Sequence, residues 1–479
     1  MWPLKTVCVA YLGAHALLYF GFARALSDRK GVSYAHLKRL YSVCRNELLL
    51  LPFTVFIFVR LRAAWLWLLG EDRHKNGAAR HADHYFLATT TTTNQRNERR
   101  KTGGNRRLFG GVGAVTVGAV LAGAHSLYFV YYVQAFVPRS LVWFAALSMG
   151  FYVYILAFLL GFGILNLACR LAFHYCSPLT NGRSPTWLTL LKMTRRLATD
   201  SNWQSLLAVA IAASFSAVGL WAFCKPALVR VDVKLTPPKG SALTADTWQG
   251  RRIVLLSDVH VGGVVDGDWL RTAVDLANSA EPDVVVIVGD LFDGSVDVLS
   301  HHLIPLKDLR AKYGVYFSTG NHEYYQGDID RWTQWLRQTV HVHVLRNSHV
   351  NMEFGVCVTG SDDLSSEKSR IAGHAMAAAR ALSGCNRQFV SVLLQHNPSA
   401  VAEVTSHSRP DLILSGHVHA GQFYVTAPLL WAVLPYFHGH YPAVGVDGDT
   451  QLYVSAGVYA YGPPLKTLGG SEVTVVTLR

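Results

Sequence analysis

Residues 283–294 read DVVVIVGDLFDG: five β-branched aliphatic residues in a row, then an abrupt Gly-Asp. Valine and isoleucine are stiff at χ1 and fit a pleated surface, so the run reads as a strand. It shows no polar alternation, which means that both faces of its sheet are covered. Four further stretches share this character: RIVLLSD (252–258), VYFSTGN (315–321), VSVLLQHN (390–397) and DLILSGH (411–417). Between them, Trp269–Ser279, Val298–Ala311, Ile329–Gln338 and Ser369–Leu382 have helical spacing or composition. Strand–helix alternation of this kind predicts an α/β domain with a largely parallel or mixed sheet.

Every one of these strands ends in groups that bind metals or move protons. Asp258 and His260 follow the first, Asp290 the second, Asn321 and His322 the third, His396 the fourth, and His417 and His419 the fifth. Taken singly, an aspartate after a strand is ordinarily a cap and a lone histidine is ordinarily packed. In open α/β sheets, however, ligands gather outside the carboxyl ends of the strands. Five coincidences of this type point to one rim.

The first half of the chain has a different chemistry. Residues 1–230 hold 26 Lys+Arg against 7 Asp+Glu, and residues 231–479 hold 18 against 24, so +19 and −6 make the net +13. The basic residues flank apolar runs, which suits membrane orientation rather than nucleic-acid binding, and no nucleic-acid partner is expected. Runs of about 20 apolar residues can cross a bilayer as helices. Leu108–Val137, Leu141–Cys169 and Leu206–Cys224 meet that length without an internal charge, and His125 is their one mid-span ionisable residue, read as a helix-packing group. Leu48–Gly70 is interrupted by Arg60 and Arg62 and either spans or lies in the interface. The stretch near the N-terminus, Val7–Phe22, is a cleaved signal peptide or an anchor. An anchor is expected, since no small-residue cleavage site precedes Arg24. The expected organisation is a multi-pass transmembrane region over 1–228, with about five helices (7–26, 48–70, 108–137, 141–169, 206–224). A disordered basic loop is expected over 88–107, and a catalytic domain over 229–479.

Three spans separate that basic loop from the C-terminal half, so the two fall on opposite faces of the membrane. Positive loops favour the cytoplasm, which places the domain on the non-cytoplasmic side. The scarcity of intramembrane charge argues against a transporter or channel. Seven cysteines occur without a CxxC; only Cys357 and Cys385 lie in the second half, so one disulfide at most could form there.

In order, SDVH, GDLFDG, GNHE, QH and GHVH match the signature of the calcineurin-like metallophosphoesterase superfamily, over about Arg251 to Arg479. LLSDVHVGG, PDVVVIVGDLFDG and SGHVHAGQ resemble its membrane-associated branch of YkuE-like enzymes. Spans followed by this domain also resemble the animal transmembrane proteins with a metallophosphoesterase domain. The resemblance implies an α/β fold, a two-sheet α/β/β/α metallophosphoesterase sandwich, preceded here by an all-α multi-pass transmembrane region. It further implies that Asp258, His260 and His419 hold one divalent metal ion, that Asn321, His396 and His417 hold a second, and that Asp290 bridges both. Carboxylates and imidazoles without thiolates suit Mn, Fe or Zn. Two such ions about 4 Å apart activate water and clamp an in-line displacement at phosphorus. His322 matches the family's non-ligand histidine, which protonates the leaving oxygen or stabilises phosphoryl charge. Asp293 matches the carboxylate that orients it, with a plain turn residue before Gly294 as the alternative.

Two departures bear on substrate. Gly294 stands where the protein Ser/Thr phosphatases carry an arginine, which disfavours phosphoprotein hydrolysis. SAGVYAYGPPLK replaces an Arg-containing segment of YkuE-like enzymes, with Lys466 a candidate for the arginine's role. FYVTAPLLWAVLPYF (423–437) is either a buried strand and helix or a wall of the site that receives an acyl chain. The expected function is a membrane-anchored phosphoesterase acting on phosphomonoester, phosphodiester or pyrophosphate bonds, with a lipid-linked substrate among the classes considered. The alternative is a non-catalytic metal-binding membrane regulator or scaffold.

Overall fold

The computed structural model describes residues 31–68, 113, 115–127, 129–131, 133–176, 200–445, 448–467 and 469–479. They fall into two compact units. One takes in the described residues up to Leu48 together with Tyr128–Ala146 and Ala217–Arg479; the other takes in Leu49–Leu127 and Leu147–Ser216.

The first unit is built on two mixed six-stranded sheets. The first sheet contains β1 (Ala227–Val233), β2 (Arg252–Leu256), β3 (Val284–Val288), β4 (Val315–Ser318), β5 (His343–Val344) and β12 (Glu472–Leu478), in the order β1-β12-β2-β3-β4-β5. The second contains β6 (Ser348–Asn351), β7 (Val356–Gly360), β8 (Val390–Leu394), β9 (Leu412–Ser415), β10 (Gly439–Val444) and β11 (Thr450–Val454), in the order β10-β11-β9-β8-β7-β6. All five predicted strands are present, as β2, β3, β4, β8 and β9, and each makes at least one parallel pairing.

Strand period explains the layers. Val284, Val286 and Val288 of β3 share one buried cluster with Val390, Val392 and Leu394 of β8 and Leu412 and Leu414 of β9. Residues at i, i+2 and i+4 point one way, so this cluster lies between the sheets. The intervening Leu393 and Ile413 point the other way, into a second cluster with Val401 and Val404 of the helix Val401–His407. On the first sheet, the helix Gly267–Ser279 packs against β1 and β12. Asp266 caps its start, accepting from the backbone of Asp268 and Trp269. Its buried Leu270, Ala273, Val274 and Ala277 follow the 3–4 spacing of one helix face.

Two predicted helices are shorter than their composition suggested. Residues 298–311 form a 3-10 stretch over Ser300–Asp308, because Pro305 removes a backbone donor. Within 369–382 only Ala378–Ser383 is α-helical. Arg370 and Gly373 both take positive φ (60° and 76°), which breaks the earlier part.

Among the described residues, three helices are long and apolar enough to cross a membrane: Leu37–Leu68, Arg139–Ala172 and Ser201–Phe223. The predicted 108–137 span is represented by the shorter apolar helix Val115–Leu127, and Gln134–Phe136 has already tightened to 3-10 geometry. The candidate segment 7–26 and the basic loop 88–107 lie outside the described residues. In the second unit, polar side chains link the helices: Thr54 contacts both His125 and Tyr152, Arg60 Nε donates to Ser205 Oγ at 3.2 Å, and Asn166 Nδ2 donates to Gln204 Oε1 at 2.9 Å. His125 is thus a helix-packing group.

Candidate metal centre and active site

The C-terminal ends of β2, β3, β4, β8 and β9 deliver Asp258 and His260, Asp290 and Asp293, Asn321 and His322, His396, and His417 and His419. The backbone there is held in an unfavourable conformation. Asp258, His260, Asp290, His417 and His419 all have positive φ, between 52° and 74°. Each such non-glycine residue costs roughly 1–2 kcal/mol, and clusters of them persist where the surroundings impose a functional geometry. Before Asp290 the residue must be small. Gly289 has φ 72°, and a Cβ there would fall 2.6 Å from both Gly320 Cα and the His396 ring.

These side chains form three metal-capable groups: Asp258, His260 and His419; Asp290, His396 and His417; and His260, Asp293 and His322. Asp258 and Asp290 are almost wholly buried. His419 Nε2 lies 3.2 Å from Asp258 Oδ1, and His396 Nε2 lies 3.1 Å from Asp290 Oδ2. Asn321 Oδ1 and His417 Nδ1 approach to 2.8 Å.

The tautomers are set by what lies behind each ring. His396 Nδ1 donates to Val288 O at 2.8 Å, His419 Nδ1 to Tyr459 O at 3.3 Å, and His260 Nδ1 to the Asp293 carboxylate at 3.2 Å. Each ring therefore turns its Nε2 inward, the usual second-layer arrangement around a metal. The inward His260 and His419 Nε2 atoms are only 3.2 Å apart, and two facing lone pairs at that distance repel unless a proton or a cation lies between them. Burial drives His419 down to about 3; burial would lower His260 too, but Asp293, Asp290 and Asp258 raise it, so either a proton on His260 or a cation can fill the gap. His396 Nε2 is buried with the Asp290 carboxylate as its near neighbour. Oxygen and imidazole donors in this arrangement fit divalent cations.

His322 lies beside these groups. Its Nδ1 is 2.6 Å from Asp293 Oδ1, and its Nε2 is 4.0 Å from Asp290 Oδ2. Burial alone would raise the Asp293 carboxyl; His260 and His322 hold it well below the usual carboxylate range.

Several functional neighbours were missed in the sequence. Glu323 is fully buried and accepts the backbone N–H groups of Asp290, Leu291 and Gly320, at 2.9, 2.8 and 2.6 Å. It ties the β3 and β4 ends together. Burial and Asp290 push its carboxyl up to about 7, with the backbone donors pulling the other way. Its place in GNHE was the available signal. Asn321 Nδ2 donates to Tyr325 Oη at 2.9 Å, which leaves Oδ1 facing His417. Tyr461 stands edge-on to His322, with centroids 4.4 Å apart, and also meets Tyr131. No local pattern marks Tyr461 or Tyr131.

Two sequence readings change. Lys466 is buried under the rim, and its ammonium donates to Ala456 O and Gly457 O, so it braces backbone rather than reaching a phosphate. Burial brings it down to about 8. Residues 427–433 do form a helix, but none of it is buried: Leu429, Trp431 and Val433 are 65%, 71% and 64% exposed.

Residues 251–421 match the family profile described as calcineurin-like phosphoesterase. The chain is 36% identical to the transmembrane protein with metallophosphoesterase domain of Danio rerio, over 70% of this chain and 74% of that one. The Bos taurus protein of the same description is 34% identical over 76% and 80%. Those shares exceed what the residues from 229 onward can supply, so the likeness extends into the helical half. The metallophosphoesterase YkuE of Bacillus subtilis is 29% identical over 50% of this chain and 82% of its own.

Proposed function

The chain belongs to the calcineurin-like phosphoesterase family, and from that premise we propose that it is a membrane-anchored phosphoesterase that works with two divalent metal ions. Asp258, His260 and His419 would hold one ion, Asn321, His396 and His417 the other, with Asp290 between them. Bound ions of this kind supply Lewis-acid activation of water and neutralise charge at phosphorus. The chain's own part is positioning and proton supply. Asp293 fixes His322 through Nδ1, which aims Nε2 at the rim, where it protonates the departing oxygen. Asp293 also orients His260, so one carboxylate serves both a ligand and the acid. Glu323 keeps the backbones at Asp290 and Gly320 in register.

The observation that carries this reading is the His322–Asp293 pair at 2.6 Å beside a nest of inward-facing imidazoles and buried carboxylates. A scaffold or regulator that only bound metal would have no use for an oriented acid there. The exposed Leu429, Trp431 and Val433 follow His419 by ten to fourteen residues and support a substrate presented at a lipid surface. The excess of basic residues in the predicted loops supports a non-cytoplasmic domain. So does the disulfide Cys357–Cys385, a bond that persists in oxidising compartments.

The test uses the purified full-length protein with Mn²⁺ on bis-p-nitrophenyl phosphate and p-nitrophenyl phosphate. Metal-dependent turnover is expected, with loss in Asp290→Ala. Absence of turnover in the wild type, or equal turnover in the variant, defeats the reading.

A further inference from the structure

The cavity at His322 is bounded on one side by an element that the catalytic signature does not include. It measures about 530 Å³ and is lined by Asp293, His322, Tyr325 and Tyr461 together with residues of the helix Gly31–Leu68. Lys38, Ser42, Arg45 and Asn46 recur at i, i+4, i+7 and i+8, so one face of that helix turns toward the site. Arg39 adds a further cation, and Lys368, on the short 3-10 helix Glu367–Ser369, adds another from a different part of the chain.

The charge of this cavity is one-sided. Among the described residues that line it, four are Lys or Arg and one, Asp293, is an acid, committed to His260 and His322. Gly294, the residue after Asp293, has no side chain to offer. Cations beside the catalytic groups therefore come from residues 38–45 and 368. Lys38 and Arg45 are seven residues apart, about 10 Å along a helix axis. Their backbone anchor points are therefore spread along the cavity wall. The volume lies in the range of small-molecule sites, about 300–1,000 Å³.

We propose that Lys38, Arg39, Arg45 and Lys368 form a second anion subsite, and that the substrate carries a further phosphate or pyrophosphate group beyond the scissile phosphorus. The proposal rests on the phosphoesterase reading above and names the substrate class for the same centre. Guanidinium and ammonium donors bind such oxygens by charge-assisted hydrogen bonds. The further phosphate can belong to a lipid headgroup or to a soluble molecule; the chemistry is shared.

The test measures inhibition of p-nitrophenyl phosphate turnover by the full-length protein, using three probes: inositol 1-phosphate, inositol 1,4-bisphosphate, and phosphatidylinositol 4-phosphate in phosphatidylcholine vesicles. In the wild type the bisphosphate binds more tightly than the monophosphate. That gap shrinks by about tenfold in Lys38→Gln/Arg45→Gln and separately in Lys368→Gln, the loss expected for a charge-assisted bond. The exchange Lys38→Arg/Arg45→Lys, which keeps the charge, retains the gap. Tighter binding of the vesicle probe than of the soluble bisphosphate identifies a lipid source, and equal binding a soluble one. No gap in the wild type, or an unchanged gap in both Gln variants while turnover persists, overturns the subsite. No metal-dependent turnover at all overturns the phosphoesterase reading instead, and the subsite with it.

Discussion

Replacing His322 with alanine separates proton donation from everything else at the rim. The imidazole is held through Nδ1 by Asp293 at 2.6 Å, and its Nε2 stands 4.0 Å from Asp290 Oδ2. It contributes to none of the facing lone pairs of His260, His396 and His419. His322→Ala should therefore keep the metal sites while removing the acid. A positioned general acid contributes about 10²–10⁴-fold, or roughly 2.7–5.5 kcal/mol at 1.36 kcal/mol per decade. That loss applies to an alkyl phosphoester, whose alkoxide cannot leave without a proton. Nitrophenolate leaves unprotonated, so the loss on p-nitrophenyl phosphate should be far smaller. The assay is kcat on a matched alkyl and nitrophenyl pair, with metal content measured on the same preparations. Equal losses on both substrates at full metal occupancy would refute the assignment. Loss of metal in His322→Ala would mean that the histidine is a ligand, as its grouping with His260 and Asp293 also allows.

Three further outcomes follow from the same geometry. Dialysis against EDTA should abolish turnover and lower the unfolding temperature, because an ion at a hundred times its Kd stabilises the fold by about 2.7 kcal/mol. Restoring Mn²⁺ should recover both; an unchanged melt would show that the carboxylates and imidazoles are not sharing a cation. Gly289→Ala should destabilise by roughly 2–4 kcal/mol and release metal, since its Cβ meets Gly320 and His396 at a positive φ. A stable variant with full metal would contradict that close approach. Cys357→Ser/Cys385→Ser should cost about 3–4 kcal/mol in denaturant melts, the loop-closure value for a crosslink spanning 28 residues. Alkylation of intact cells should find this pair oxidised, and a reduced pair would count against a non-cytoplasmic domain.

Local chemistry was enough to locate the strands and their polar termini. A run of β-branched residues covered on both faces, stopped by glycine and a metal-capable side chain, is encoded within about ten residues. β2, β3, β4, β8 and β9 were legible for that reason. The remaining seven strands were not, because their partners supply the burial that their short or mixed sequences lack: β5 has only two residues, and β1 is half-exposed along most of its length.

Recognition of the rim came from order along the chain; its working details depend on contacts that cross it. Tyr131 donates to Gly462 O across 331 residues, at 3.0 Å, and brings an aromatic pair against His322. Lys466 looked like a phosphate ligand in sequence, but backbone carbonyls claimed it once the loop around it closed. The cations at 38–45 lie more than two hundred residues before the first metal-capable aspartate, and no local pattern could have joined them to it. Residue type sets what chemistry a side chain can do. Which atoms it meets is decided when distant segments pack, because burial, counter-charge and lone-pair direction exist only in that packed arrangement.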